Sequence, residues 1–523
     1  MRKSTLFAGS TMFAVAIAAA APSFAQDAAG GSAAPVCTDP NAAGCTPTVA
    51  TTTAATEDGA IVVVGSRIRR DNYNSASPIQ VVTRDETTAA GFNSTTEALQ
   101  GTAVSGGSSQ INNAYGGFVT NGGPGANTLS LRGLGATRTL IMLNGRRIAP
   151  AGSRGSVGSA DLNVLPSAMV DRIEILKDGA SSIYGSDAIA GVVNLVTRQN
   201  IDGLTFEGQQ NFTGEGGGET QRFSLVYGIT GDRFNLSASA EFTQRSDLNL
   251  GERDWTACQT SYRLSAAGAA PDSGSFIDPT TGLPKCYPLG VTGENGVTIN
   301  TIGTSSVAAR PAAGAVTATF NRLRPNAAVT TGVVGYEGVG GGANNLNVRD
   351  TFAPAMLRQS LISPAKIYTG FVQASYDLGV LGDAEAYTEV LYNRRESSQV
   401  SYRQLVLDYA RLNPLIPANL AFSTFSPVAS SVSNGLPIGV RAFIGFGNTN
   451  NSQVVNFTKV SGGVRGNFLF DGWRYDLFGS STWSDASYDT ETFLTSRIAQ
   501  SMDVVSDGLG GFVCRNTANG CVA

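Results

Sequence analysis

The sequence predicts a mixed α/β domain followed by an incomplete antiparallel transmembrane β-barrel, of which about seven strands are recognisable. Three observations support this fold class. Only 15% of the 523 residues are charged and 63 are glycine, yet beyond residue 25 no apolar run reaches the ~20 residues that a membrane-spanning helix needs. From about residue 203, apolar and polar residues alternate over ten or more positions. The connections between these stretches alternate between tight turns and long loops.

Residues 233–245 show the alternation that defines the predicted strands. Every second residue there is apolar, and the residues between are polar or charged; the apolar set is Phe234, Leu236, Ala238, Ala240 and Phe242. Strands of a soluble β-sandwich are usually nearer ~5–6 residues long, so alternation of this length favours strands with one face toward lipid. The same pattern predicts six further strands at about 203–213, 220–230, 367–378, 384–393, 453–468 and 473–484.

The connections between these strands indicate which end of the barrel faces outward. Tight turns are predicted at 230–232, 379–383 and 470–472, whereas the connections 246–365 and 402–452 are long. Outer-membrane barrels have short turns on the periplasmic side and longer loops on the extracellular side. We therefore expect the long connections to face outward.

The N-terminus carries the features of an export signal. A basic start at Met1–Lys3 is followed by the apolar stretch 6–21, and we expect cleavage after Ala25. An exported chain lies where thiols oxidise. The six cysteines fall in three near pairs that we expect to form local disulfides, with a metal or redox role as the alternative. The pairs are Cys37 with Cys45, Cys258 with Cys286, and Cys514 with Cys521.

The composition argues against several classes of function. There is no histidine, which removes Ser-His-Asp and Cys-His catalytic relays and every metal site that contains histidine. The net charge of −4 offers no basic surface for nucleic acid. Gly133-x-Gly135 lacks the third glycine and the following helix of a dinucleotide site, so no cofactor is expected. A glycosidase would need two carboxylates in a cleft; Glu385 and Glu389 share one strand face, but a polar barrel lumen explains them better.

Three segments precede the predicted barrel at 201–523. Residues 26–56 are polar and small and predict a flexible tether, and 57–66 contain the β-branched run Ile61–Val64. The residues alone leave open whether this run is the first strand of the next domain or a segment that pairs with a partner's sheet edge. Residues 67–200 predict the mixed α/β domain, with long loops rich in glycine, serine and asparagine at 105–127 and 150–160 that suggest a functional role.

Segment 127–197 closely resembles the plug domain of TonB-dependent outer-membrane receptors. The resemblance rests on four ordered blocks, which are Leu129–Gly135 (LSLRGLG), Leu143–Arg147 (LNGRR), Val170–Gly179 (VDRIEILKDG) and Ser182–Asn194 (SIYGSDAIAGVVN). The resemblance implies a plug inside a barrel of about 22 strands. With about seven strands visible, we expect the chain to be the N-terminal part of a longer receptor.

The resemblance also implies a mechanism and site residues. Ile61, Val62, Val63 and Val64 resemble the TonB box, which pairs with the inner-membrane TonB energy-coupling protein. A charged latch between plug and barrel is expected at Arg132, Glu174 and Lys177. The expected ligand is scarce and extracellular: a ferric siderophore, a cobalamin-like molecule or a glycan. Its contacts are expected from the two plug loops, at Asn112, Asn113, Tyr115, Phe118, Asn121 and Arg154.

No catalytic or metal-binding residues are expected, and the partners implied are TonB, the ligand and outer-membrane lipid. Two other classes remain as rivals to energised uptake. A passive porin would not carry the plug blocks. A surface β-barrel that only binds or adheres would keep its binding after deletion of residues 57–64, whereas energised uptake would stop.

Overall fold

The computed structural model describes the second of two compact units of the chain, residues 60–523, over most of its length. The described residues are 79–92, 94–106, 126–152, 158–177, 181–257, 354–410, 413–416, 432–433, 436–468, 473–523 and short pieces between 263 and 338. The predicted signal peptide, the tether and the segment 57–66 lie outside them.

One of the three predicted disulfides can be compared with the structure. Cys514 and Cys521 form a disulfide, as their spacing predicts. Cys37 and Cys45 lie outside the described residues, and so do Cys258 and Cys286. The disulfide between Cys37 and Cys45 and the disulfide between Cys258 and Cys286 therefore stay predictions.

The plug is built on a five-stranded sheet. Its strands are β1 (Ile79–Thr83), β2 (Thr139–Leu143), β3 (Arg146–Arg147), β4 (Val170–Leu176) and β5 (Gly191–Thr197), in the order β1-β4-β5-β2-β3. Only β2 and β5 pair in parallel; the other pairs are antiparallel. The helices are α1 (Arg84–Ala89), α2 (Thr95–Gln100) and α3 (Ser181–Tyr184), with single 3₁₀ turns at 103–105, 136–138, 162–164, 167–169 and 186–188.

Local sequence explains where the two longer plug helices begin. The Thr83 hydroxyl accepts a hydrogen bond from the Glu86 backbone N–H at 3.3 Å, and Glu86 Oε2 accepts from the Thr83 N–H at 2.8 Å, which is a complete capping box. Ser94 caps α2 by accepting from the Glu97 N–H at 3.2 Å. Both helices begin with the Ser/Thr-x-x-Glu spacing of a capping box, and only α2 follows it with buried apolar residues, Ala98 and Leu99.

The second layer, which we call the wall, is a meander of seven long antiparallel strands. These are β6 (Gly203–Asn211), β7 (Thr220–Thr230), β8 (Phe234–Arg245), β9 (Ala365–Asp377), β10 (Glu385–Ala410), β11 (Leu436–Asn467) and β12 (Arg474–Asp489). Each pairs with its neighbour in the chain. Among the described strands, β6 and β12 each pair on one side only, so the described wall is an open sheet.

The remaining described elements are short. Strands at 298–301, 322–325 and 336–338 extend the sheet from β11, to make 11 strands together with 432–433, and two-residue or three-residue strands lie at 248–249, 263–264, 271–272, 360–362, 504–506 and 512–514. Helices α4 (Asp254–Ala257) and α5 (Thr495–Met502) and 3₁₀ turns at 250–252, 354–358 and 518–520 complete the described chain.

Two strands are much longer than the alternation indicates. The predicted strand 384–393 continues to Ala410, and the predicted strand 453–468 begins at Leu436. The sequence prediction that 402–452 is a long connection is therefore wrong over most of its length. The added parts pair through backbone hydrogen bonds. The start of β11 does alternate, with an apolar residue at every second position from Ile438 to Phe446, but polar residues on both faces over 448–453 interrupt the apolar period before the predicted strand.

Burial confirms the lipid-facing pattern in the wall. In β8 the serines Ser237 and Ser239 are buried while Phe234 and Leu236 are exposed, the reverse of a soluble sheet. The plug has an ordinary apolar core that includes Leu131 and Val193. A minority of apolar wall residues faces inward and joins that core: Val226, Phe371, Leu391, Val455 and Phe457.

Candidate functional site: the plug–wall interface

A tight turn carries the plug toward the wall. Asn144 and Gly145 connect β2 to β3 with φ of 50° and 74°, the positive pair that an Asn-Gly hairpin turn requires. The Gly145 N–H donates to Asn194 Oδ1 at 2.7 Å, and Asn144 Oδ1 accepts from the Thr197 N–H at 2.9 Å. The turn is thus fixed to β5 by hydrogen bonds within the plug, independently of its contacts with the wall.

Arg146, the residue after this turn, reaches three side chains of the wall. Its guanidinium donates to the Tyr387 hydroxyl at 2.9 Å, forms an ion pair with Asp476 and lies 3.9 Å from the centre of the Phe478 ring. Tyr387 in turn donates to Asp476 Oδ1 at 2.7 Å. A delocalised cation over a ring with a carboxylate beside it is an arrangement that arginine satisfies and lysine does not.

The wall beside Arg146 supplies balanced charges. Asn144 Nδ2 donates to Glu389 Oε1 at 2.6 Å, and the buried Lys459 ammonium lies 3.9 Å from the other oxygen of Glu389. Arg465 pairs with Glu385 at 2.6 Å. Three cations therefore face three carboxylates, and this arrangement stabilises buried charge only while the partners stay in place. A cavity of about 570 Å³ separates plug and wall here.

A second contact lies deeper in the interface. Arg395 of β10 and Asp161 of the plug are both almost fully buried and pair at 3.0 Å. Asp161 Oδ1 also accepts from the backbone N–H groups of Asn127 and Asn163, each at 3.0 Å. Asn393 Nδ2 donates to the Asn163 carbonyl oxygen at 2.9 Å. The same carboxylate therefore orders a plug segment and holds it against the wall.

A third contact joins the start of the plug to the first wall strands. Arg84 of α1 forms an ion pair with Glu207. The Ala168 N–H donates to Glu241 Oε2 at 3.0 Å, and Arg222 pairs with the same carboxylate at 3.2 Å. A cavity of about 290 Å³ lies between α1, α2 and these strands.

The three predicted latch residues have described positions. Arg132, at φ 53°, donates to the carbonyl oxygens of Ile189 at 3.0 Å and Ala190 at 3.2 Å. Glu174 is buried and accepts from Arg172 Nε at 3.0 Å and Asn194 Nδ2 at 3.2 Å. Lys177 follows β4 and is half-buried. These contacts of Arg132 and Glu174 lie within the plug, and the role of all three residues as a latch stays a prediction.

The structure supplies interface residues that the sequence did not indicate. Arg146 lies in a quoted block of the resemblance, but its partner Asp476 is 330 residues away, and Asp161 and Arg395 belong to no recognised motif. The sequence indicates Glu389 only as a lumen residue. The predicted ligand contacts Asn112, Asn113, Tyr115, Phe118, Asn121 and Arg154 lie outside the described residues, as do Ile61–Val64.

Other site types find no support in the described part of the chain. No group of three or more cysteine, aspartate or glutamate side chains there could hold a metal ion. Within the same ranges, no helix is long and apolar enough to cross a membrane.

Comparison with known proteins is informative chiefly over the plug. The domain family described as TonB-dependent Receptor Plug Domain matches residues 71–192. The chain is 33% identical over 141 residues to the vitamin B12 transporter BtuB of Photobacterium profundum, a match that covers 26% of this chain and 20% of the relative. The chain thus spans about a fifth of that curated relative.

Two solved structures overlap with larger parts of the chain. The ferric preacinetobactin receptor BauA of Acinetobacter baumannii has a TM-score of 0.35 at 11% identity, covering 80% of this chain and 48% of its own. The ferripyoverdine receptor of Pseudomonas aeruginosa has a TM-score of 0.33 at 10% identity, covering 81% and 44%. Overlaps at these scores carry no argument by themselves. Residues 71–192 match the plug domain of TonB-dependent receptors, and the wall that follows them exposes apolar side chains and buries polar ones.

Proposed function

We propose that this chain acts in energised uptake of a scarce extracellular ligand across the outer membrane. The ligand binds plug loops and wall loops from outside, and TonB then pulls on the segment before the plug until the plug yields. The ligand is a ferric siderophore, a cobalamin-like molecule or a glycan. Because the similarity to the B12 transporter covers only 26% of this chain and 20% of the relative, it does not select among these classes.

The observation that carries this proposal is the polar character of the plug–wall contacts. Asn144–Glu389 and Arg146–Asp476 are neighbouring contacts at one turn beside the same cavity, and Asp161–Arg395 is a separate, buried contact. A single hydrogen bond contributes ~0.5–1.5 kcal/mol net, and one that involves a charged group ~1.5–3 kcal/mol. Contacts of this size can break one at a time under a pulling force, whereas an apolar core gives way as a whole.

The proposed latch has a plug side and a wall side. Glu174 holds Asn194, and Asn194 holds the Gly145 N–H, so the buried carboxylate supports the turn that presents Arg146. Arg132 and Lys177 complete the plug side as the resemblance suggests. The wall side is Glu389, Tyr387 and Asp476.

The proposed point of TonB attachment is Ile61–Val64. Pairing between two strands uses backbone groups, with the N–H groups of alternate residues facing the partner, so the affinity depends on the backbone more than on particular side chains. A proline removes one donor and fixes φ. The sharpest test is therefore Val63→Pro compared with Val63→Thr, which keeps the backbone donor and the β-branch.

The experiment measures two quantities in cells that express the receptor. One is surface binding and the other is accumulation, each with cyanocobalamin, a ferric catecholate and a maltooligosaccharide as probes. We expect Val63→Pro and deletion of 57–64 to abolish accumulation of the probe that binds while binding itself persists, with Val63→Thr near wild type. Binding without accumulation in wild type would instead support the alternative, a ligand-binding or adhesive surface barrel without active transport, and accumulation that survives both changes would indicate passive entry. An enzyme would be indicated if a bound probe were chemically altered.

A further inference from the structure

A tyrosine of the wall crosses a whole strand to reach its hydrogen-bond partner. In the register, Tyr387 of β10 lies opposite Gly463 of β11, and Gly463 lies opposite Phe478 of β12. Neighbouring strands are ~4.8 Å apart, so β10 and β12 are separated by about 10 Å. The Tyr387 hydroxyl nevertheless donates to Asp476 of β12 at 2.7 Å. The tyrosine side chain therefore extends across β11.

Gly463 provides the space for this crossing. A Cβ built on Gly463 would lie 2.7 Å from the Tyr387 hydroxyl oxygen and 2.8 Å from the ring carbon that bears it, and it would also collide with the Leu477 carbonyl oxygen. Cβ atoms essentially never approach other heavy atoms this closely. Any side chain at position 463 would therefore displace the tyrosine ring.

The crossing also fixes the polarity of the hydroxyl. A tyrosine hydroxyl has one proton, and this one is donated to Asp476. Its oxygen lone pairs therefore remain for the Arg146 guanidinium, which donates to it at 2.9 Å. The wall thus presents a hydroxyl oxygen, a carboxylate and the Phe478 ring to a single cation.

A cation of the wall itself lies close to this position. Arg465 is opposite Asp476 in the register, and its guanidinium carbon is 5.1 Å from the centre of the Tyr387 ring. Arg465 pairs with Glu385 on its other side, at 2.6 Å. The Asp476 carboxylate is therefore available to the cation that the plug supplies.

We propose that Gly463 is a positioning residue for a guanidinium site on the wall, which Arg146 occupies while the plug is in place. Tyr387 and Asp476 accept the N–H groups of the planar cation, and Phe478 covers one of its faces. Gly463 acts through Tyr387, because it holds the hydroxyl in place before the cation arrives. The inference rests on the proposed function in treating the Arg146 contact as part of the latch, and it is tested without measuring uptake.

The first test compares two neighbouring glycines in receptor purified in detergent. The measurement is plug retention, the ratio of protease-protected to cleavable plug. Gly463→Ala should lower this ratio about tenfold, the size expected for one hydrogen bond to a charged group. The matched control is Gly462→Ala, since a Cβ there would lie 3.0 Å from the Tyr387 carbonyl oxygen but on the opposite face of β11. Tyr387→Phe keeps the ring and should reproduce the loss even if Gly463→Ala does not fold.

The second test asks whether the wall recognises a guanidinium. Arg146→Ala removes the natural occupant of the site. Methylguanidinium, added at concentrations far below those that unfold proteins, should then restore plug retention severalfold, whereas tetramethylammonium, which has no N–H donor, should not. The rescue should disappear when Gly463→Ala is combined with Arg146→Ala, and it should persist when Gly462→Ala is combined with it.

Two results would overturn the site. One is an equal loss of retention from Gly463→Ala in receptors with and without Arg146, because the glycine would then act on the sheet alone. The other is an equal response of the Arg146→Ala receptor to the two cations. Val63→Pro should leave retention and rescue unchanged whether or not uptake is energised, so the two proposals fail separately.

Discussion

In the plug, Leu131 and Val193 are fully buried, whereas in the wall Leu225 and Leu477 are exposed at 44% and 70% and Ser237 is fully buried. Both regions are sheets of one chain in one compact unit, and they sort residues in opposite directions. The difference teaches that burial in this molecule follows the solvent on each side of a sheet: the plug excludes water, while the wall turns its apolar face to lipid.

The interface between the two regions combines both rules. A few apolar wall residues join the plug core, and charged pairs join the rest. Substitutions that disturb only the apolar contacts, only the lipid-facing surface or only the charged pairs therefore separate the contributions of the plug, the wall and their contacts.

The largest effect is expected at the buried ion pair. Asp161→Ala leaves the Arg395 guanidinium buried without its carboxylate, so the free energy that holds the plug in place should fall by ~3–5 kcal/mol. The measurement is protease cleavage of the plug as a function of urea, in receptor purified in detergent. The double variant Asp161→Asn, Arg395→Met keeps the side-chain oxygen that accepts from the Asn127 and Asn163 N–H groups, so it should recover most of the loss, and a double variant as labile as the single one would contradict the assignment.

The second-largest effect is expected when a lysine is placed on the lipid-facing side of the wall. Lys459 faces inward and is buried, whereas Val390 faces lipid at 38% exposure. Val390→Lys should lower the free energy of unfolding in bilayers by ~2–4 kcal/mol, because a cation on the lipid face has no counter-charge or water. Val390→Ala, which adds no charge, is the control. Equal stability of the lysine and alanine variants would mean that this face of β10 does not meet lipid.

Two adjacent arginines test which plug contacts matter for holding the plug. Arg146 contacts Asp476 of the wall, while Arg147 pairs at 2.7 Å with Asp187 inside the plug. Arg146→Ala should weaken plug retention by ~1–3 kcal/mol and make the outer membrane leakier to large antibiotics. The Arg147 pair is exposed, so Arg147→Ala should have little effect. Similar leakage from both variants would contradict a latch at the turn.

The smallest effect concerns acid. The Ser246 hydroxyl, followed by other hydrogen bonds that include one from the Gly217 N–H, lowers the pKa of Glu219, which precedes β7. A lowered pKa stabilises the folded loop above the ordinary glutamate range, and that contribution is lost as the pH falls through the folded value. The protection of residues 212–219 from hydrogen exchange, measured relative to the intrinsic rate at each pH, should therefore fall in wild type as the pH drops below the ordinary glutamate range, and Glu219→Gln should remove the step.

Structural features that depend on residues close in sequence can be predicted from the sequence, whereas features that depend on distant residues cannot. Strand β8 is predicted within a residue because alternation is a local signal, and the Asn144-Gly145 turn is recognisable for the same reason. The extensions of β10 and β11 are missed because residues that are polar on both faces, over 396–399 and 448–453, interrupt the apolar alternation that marks the predicted strands. Asp161 and Arg395 lie 234 residues apart, and no local pattern indicates that pairing.

The length of β10 indicates how far the wall extends beyond the membrane. Its 26 residues, at ~3.3 Å each, extend about 85 Å, while the apolar band of an outer-membrane barrel is only ~25 Å tall. Even with a tilt of ~45°, the strand rises about 60 Å, so its distal half and the paired part of β11 stand clear of the bilayer. An antibody raised against this ribbon should label intact cells.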